Sequence, residues 1–203
     1  MVKQLPNLLT GLRLALALGV FVALATAAQA VPGLVATPGQ QVMLEVAAFA
    51  AFVVAAITDF FDGWLARRLD AVSLWGKILD PIADKVLMTT AFLVLSFSGA
   101  LPWWLTIMVV ARDAGILLTA AAISLVAGYR PFPPSMLGKT STVAQVGTVL
   151  AALAARVAPS AMPHILVHGL IDLTAFLAVA SGLHYLYLAR DRFGLPESGS
   201  SVT

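Results

Sequence analysis

A bilayer's hydrocarbon core is about 30 Å thick, so a helix needs about 20 consecutive apolar residues to cross it. This chain of 203 residues supplies six such runs, over about 8–30, 41–69, 77–98, 102–127, 137–157 and 163–189. Between them stand helix-breaking or polar residues, such as Val31-Pro32-Gly33, Gly128 and Pro131-Phe132-Pro133-Pro134. Charged residues make up 11% of the chain, against about 25% in an average soluble domain, and 60% are hydrophobic. The expectation is an all-α integral membrane protein of six transmembrane helices, one domain over 1–190, followed by a polar tail over 191–203. No internal repeat is visible, and alanine richness suits close helix packing in lipid.

Several classes drop out at once. There is no cysteine, so thiol catalysis, disulfides and thiolate-bound zinc are excluded. The net charge of +2 comes from dispersed basic residues, which argues against a nucleic-acid partner. Lys3, the first apolar run and Ala28-Gln29-Ala30 share features with a signal peptide. The run from Leu14 is long for one, however, and Arg13 stands at its start, so the segment is read as the first span.

Orientation follows from Lys and Arg. Lys3, Arg67, Arg68, Lys77, Arg130, Lys139, Arg190 and Arg192 collect on one side, whereas the loops at about 31–40, 98–102 and 157–163 carry none. By the positive-inside rule the first side, with both termini, is cytoplasmic. Localisation in the cytoplasmic (inner) membrane follows.

Within this apolar chain the stretch TDFFDGWLARRLDAVSLWGKILDPIADK is anomalous. Ionised carboxylates cost kilocalories in hydrocarbon and mark function there. Asp59 and Asp62 are three apart, Asp80 and Asp84 four apart, so each pair shares a helix face. The connection at about 70–75 is short enough to make the two helices antiparallel neighbours, which opens an intramembrane polar cavity to the cytoplasm. Four carboxylates without His or Cys suit a hard cation, Mg²⁺ or Mn²⁺, and such a cation usually completes its shell with substrate phosphates. Gly63 and Ala66 leave the helix surface bare, Gly76 lets the third helix start close to its neighbour, and Arg67 can grip a phosphate bidentately. Together these describe a nucleotide diphosphate site. Pairing with Arg67, Arg68, Lys77 and Lys85 at helix ends would account for Asp70, but not for Asp59 between Ala55-Ala56-Ile57 and Phe60-Phe61.

The eight fixed positions Asp59, Asp62, Gly63, Ala66, Arg67, Gly76, Asp80 and Asp84 form the pattern D-x2-D-G-x2-A-R-x8-G-x3-D-x3-D. This resembles the signature of the CDP-alcohol phosphotransferases. A chance match at one start is on the order of 10⁻¹⁰ from average residue usage, so the pattern is specific. The resemblance implies a two-metal centre on Asp59, Asp62 and Asp80, with Asp84 as further ligand and general base. Asp62, Gly63, Ala66, Arg67 and Gly76 would then contact CDP. It also implies CDP-diacylglycerol as donor, a membrane-lipid setting and a homodimer.

The acceptor alcohol is less defined. Pro6-Asn7-Leu8-Leu9-Thr10-Gly11-Leu12-Arg13 resembles the opening of phosphatidylglycerophosphate synthases and of eukaryote-type cardiolipin synthases. Arg13 either reaches a lipid or acceptor phosphate or snorkels to the interface. Arg112 and Asp113 lie deep in the fourth helix. As neighbours they do not share a face, so Arg112 is expected to point at the polar cavity. Lys139 opens the fifth helix and is either an acceptor-phosphate contact or an ordinary cytoplasmic lysine. Arg112-Asp113-Ala114, Leu137 to Gln145 and His184-Tyr185-Leu186-Tyr187 resemble cardiolipin synthases of this fold more than the Arg-Glu-Ile pattern of phosphatidylglycerophosphate synthases. The preferred acceptor is therefore phosphatidylglycerol, giving cardiolipin and CMP. The alternative is glycerol 3-phosphate.

His164 and His168 are four apart but lie near the membrane face opposite the aspartates, and His184 reads as a packing residue. Trp103 and Trp104 fit an interfacial belt, and Asp172 and Glu45 receive no role. A proton or ion transporter would also use intramembrane acids, but at several depths and with repeats or broken helices. Here the acids gather at one end.

Overall fold

The computed structural model describes the backbone of residues 5–27, 36–69, 74–127 and 135–192, with side chains for residue 11 and for 15–27, 36–58, 85–119 and 135–188. These residues form six α-helices: α1 (Leu5–Ala27), α2 (Pro38–Leu69), α3 (Leu74–Phe97), α4 (Trp103–Ala127), α5 (Met136–Val157) and α6 (His164–Arg192). Every boundary lies within three residues of its sequence expectation. The largest extension at the C-terminal end is in α6, which continues through Asp191 and Arg192 into the segment expected as tail. The rest of that tail and the Pro131–Pro134 stretch lie outside the described residues.

Local chemistry sets the helix ends. Thr37 caps α2 reciprocally with Gln40: the Gln40 amide donates to Thr37 Oγ1 at 3.4 Å, and the Thr37 amide donates to Gln40 Oε1 at 2.9 Å. Pro38 follows as the first helical residue, where its missing N–H costs nothing. α3 ends at Gly99, whose φ of +73° lets the Ala100 amide turn back to the Leu95 carbonyl at 2.8 Å. Pro102 then immediately precedes α4, its carbonyl accepting from the Leu105 amide at 3.1 Å, and Trp103 packs edge-on against Phe97 at 4.6 Å, closing the turn. Ser135 caps α5 by accepting from the Gly138 amide at 3.0 Å.

α1 packs against both α2 and α3, α5 against α2 and α6, and α4 against α3 and α6. The buried faces carry small residues where helices approach closely, such as Ala17, Ala48, Ala55, Ala91 and Ala152. Phe52, Phe92, Leu95, Leu105 and Leu153 fill the space between them. Polar links cross the bundle. Ser96 Oγ on α3 and Thr106 Oγ1 on α4 are 2.6 Å apart, and Thr148 Oγ1 on α5 and Thr174 Oγ1 on α6 are 2.8 Å apart. The outer surface is apolar, with Met43, Val143, Ile165 and Phe176 exposed. Among the described residues, Pro38–Thr58, Met136–Val157 and His164–Leu188 are long and apolar enough to cross a membrane.

Candidate active site

The helices α2 and α3 carry the signature aspartates where the spacing placed them: Asp59 and Asp62 toward the end of α2, Asp80 and Asp84 in the first half of α3. The side chains of Asp59, Asp62, Gly63, Ala66, Arg67, Gly76, Asp80, Asp84 and Arg13 lie outside the described residues. Arg112, Asp113 and Lys139 lie within them.

Beside this region is a buried charge network joining three helices. Lys85, the residue after Asp84, donates from Nζ to Asp113 Oδ2 at 2.6 Å. Arg112 Nη1 donates to Asp113 Oδ1, also at 2.6 Å. Arg112 Nε donates to Ser181 Oγ on α6 at 2.9 Å. The side chains of Arg112 and Asp113 are each 7% exposed, so both oxygens of one carboxylate are spent on two cations away from water. Removing the carboxylate would leave two neighbouring cations without their counter-charge, and breaking a buried pair in this way typically costs about 3–5 kcal/mol.

This corrects one expectation. Adjacent residues do not share a helix face, yet Arg112 and Asp113 meet, because the flexible arginine stem lets the guanidinium turn back to its neighbour's carboxylate. Small residues make the room. A Cβ on Gly182 would lie 3.7 Å from Arg112 Cγ, and one on Gly138 would lie 3.5 Å from Arg112 Nη2. Nη2 is thus the guanidinium edge directed to the first turn of α5, where Lys139 is exposed and makes no ion pair with another described residue. Between α4 and α6 a slot of about 160 Å³ opens beside Arg112, lined by Gly115, Ile116, Thr119, Gly182, Tyr185 and Leu186.

Ser181 was not singled out in the sequence, and Lys85 was considered there only as a helix-end partner for the signature aspartates. Lys85 is a lone cation at the head of an apolar run, a signal that asks for a buried partner. Ser181, followed by Gly182, gives no comparable signal. Gln145 is fully buried, and its Oε1 has no hydrogen-bond partner among the described residues, although Nε2 lies 3.5 Å from Ser141 Oγ.

At the other end of the bundle His164, His168 and Asp172 line a cavity of about 540 Å³ with Leu101, Pro102 and Trp104. Among the described residues no three His, Asp or Glu side chains come together as a metal-binding set. Glu45, given no role from sequence, accepts from Arg156 Nε at 2.8 Å, tying α2 to α5. By donor chemistry alone, the hard carboxylate oxygens of the four signature aspartates are of the type that suits Mg²⁺ or Mn²⁺.

Comparison with known proteins agrees with the signature. A "Probable phosphatidylglycerophosphate synthase" of Mycobacterium tuberculosis is 34% identical over 164 residues, covering 80% of this chain and 75% of that protein. The "CDP-diacylglycerol--glycerol-3-phosphate 3-phosphatidyltransferase" of Bacillus subtilis is 36% identical over 102 residues, 50% of this chain and 52% of that one. The "Cardiolipin synthase (CMP-forming)" of Streptomyces coelicolor is 38% identical over 86 residues, 42% and 40%. The sequence profile of the CDP-alcohol phosphatidyltransferases matches residues 3–181, and the chain belongs to that family.

Proposed function

We propose that this protein is an integral membrane phosphatidyltransferase that moves the phosphatidyl group of CDP-diacylglycerol to a glycerol-based acceptor and releases CMP. The observation that carries this is the complete eight-position signature, Asp59 to Asp84, inside a family match spanning residues 3–181. All six helices cross the inner membrane in this reading, with both termini and the aspartates on the cytoplasmic side, and the protein works as a homodimer.

Asp62, Gly63, Ala66, Arg67 and Gly76 hold the CDP group, with Arg67 on its phosphates. Asp84 takes the proton of the acceptor hydroxyl as its oxygen bonds to the phosphorus bearing diacylglycerol. The bond from that phosphorus to the bridging oxygen breaks, and CMP departs with the electron pair. Two divalent cations, Mg²⁺ or Mn²⁺, held by Asp59, Asp62, Asp80 and Asp84, would neutralise the charge that builds on the diphosphate.

The acceptor phosphate is received by Arg112 Nη2 at the start of α5, with Lys139 and Arg13 adding positive charge. Phosphatidylglycerol is the preferred acceptor. Asp113 and Ser181 occupy Nη1 and Nε of Arg112, so one edge of the guanidinium faces α5, which suits a phosphodiester monoanion. The small, mainly apolar slot of about 160 Å³ between α4 and α6 beside it is the feature that supports a lipid acceptor over a soluble one. Glycerol 3-phosphate is the second reading, favoured by the relative that aligns over 80% of this chain.

The test is to incubate pure protein in mixed micelles with CDP-diacylglycerol, Mg²⁺ or Mn²⁺ and each acceptor, then measure CMP and identify the lipid. Cardiolipin formation supports the first reading, and phosphatidylglycerophosphate the second. Absence of CMP with every acceptor rejects the enzyme.

A further inference from the structure

We infer that Asp113 is a positioning residue that holds the acceptor-phosphate contact in register with the proton-accepting end of α3. This rests on the roles proposed above for Asp84 and Arg112. The carboxylate is 5% exposed at residue level and bridges two helices: Oδ2 to Lys85 Nζ on α3 and Oδ1 to Arg112 Nη1 on its own α4, each at 2.6 Å. Lys85 adjoins Asp84 in sequence, so whatever fixes Lys85 fixes the backbone that carries the base. Arg112 is fixed in turn by Ser181 from α6. One carboxylate therefore connects the two halves of the reaction, the group that takes the proton and the group that places the acceptor.

The two arms are physically separable. The Lys85 arm acts on the placement of Asp84 and belongs to turnover. The Arg112 arm acts on the acceptor and belongs to its affinity. Reacting groups misplaced by about 1 Å lose on the order of a hundredfold in rate, so a link between the two ends has a direct kinetic reading.

The experiment measures kcat and KM separately for acceptor and CDP-diacylglycerol in the full-length protein, using CMP release. Asp113→Asn keeps the shape but loses the charge. It should lower kcat and raise acceptor KM, each by about tenfold or more, with the KM for CDP-diacylglycerol within about twofold of the parent. Asp113→Glu, which restores the carboxylate, should recover most of both. Lys85→Met should reproduce the kcat loss alone, and Ser181→Ala a smaller rise in acceptor KM alone. These single-arm variants keep the inference testable if Asp113→Asn does not fold. Equal changes in every parameter, or no recovery with Asp113→Glu, would overturn it. So would single-arm variants that do not divide kcat from KM. A parent enzyme that releases no CMP would instead reject the underlying reaction.

Discussion

The Nη2 nitrogen of Arg112 lies 3.5 Å from the point where a side chain on Gly138 would begin. Ser135 Oγ lies 3.2 Å from the same point while capping α5 through the Gly138 amide at 3.0 Å. Gly138 therefore keeps open the space that the proposed acceptor phosphate would use. Gly138→Ala presses on the cap, whose loss costs about 1 kcal/mol, and should lower thermal stability with a small kinetic effect. Gly138→Val also meets the guanidinium and should raise acceptor KM on the order of tenfold, about 1.4 kcal/mol of binding. Acceptor titrations of both variants check this. An unchanged KM in the valine variant would place the acceptor elsewhere.

Glu45 and Arg156 join α2 and α5 at the opposite end from Arg112, with side chains 13% and 23% exposed. Hydrogen bonds to a charged group contribute about 1.5–3 kcal/mol, so Glu45→Gln should lower the melting temperature in detergent measurably. Neither residue is placed near CDP-lipid or acceptor, so kcat and both KM values should stay at the parent level. Such a variant also controls for destabilisation in the Asp113 series. A kinetic effect comparable to that of Asp113→Asn would show that the two ends are coupled.

Helix positions were legible in the sequence because the length of an apolar run and the residues that break it act locally. The Thr37–Gln40 capping box, Gly99 and Pro102 stand at their helix ends without help from tertiary contacts. The aspartate pattern was legible for the same reason, since its spacing is a property of single helices. The partner of Asp113 was not, because Lys85 is 28 residues away and meets it only once α3 and α4 pack. Sequence spacing also misjudged Arg112, where helix geometry separates neighbouring Cβ directions but a long side chain can turn back across the gap. The Glu45–Arg156 pair joins residues 111 apart, and nothing local marks either as the other's partner.

The absence of cysteine makes the proposed orientation directly testable. Ser160 is exposed in the α5–α6 connection, and Thr140 is exposed near the start of α5. A helix of 22 residues spans about 33 Å at 1.5 Å per residue, long enough for the ends of α5 to reach opposite faces of a bilayer, as the proposed orientation requires. A thiol introduced as Ser160→Cys should react with a membrane-impermeant maleimide in cells whose inner membrane is intact. Thr140→Cys should react only after that membrane is permeabilised. The reversed pattern would invert the protein, and labelling of both from outside would argue against α5 as a span.

Metal ligation and proton transfer make different demands on the aspartates, and this separates their proposed roles. A ligand changed to Asn loses charge and affinity, a loss that mass action offsets. Asp59→Asn, Asp62→Asn or Asp80→Asn should therefore need more Mg²⁺ or Mn²⁺ for half-maximal CMP release, and should recover part of the parent rate at saturating metal. Chelation of the parent protein should stop CMP release, and adding Mg²⁺ or Mn²⁺ should restore it. Asp84→Asn removes the proton acceptor itself, a contribution of about 10²–10⁴-fold in rate, and no metal concentration supplies a replacement. That variant should still bind CDP-diacylglycerol with near-parent affinity while turning over at the reduced rate. Metal titrations of the four variants, with equilibrium binding of the CDP-lipid alongside, check the division. Rescue of Asp84→Asn by excess metal would make Asp84 a ligand only and leave the general base to another residue.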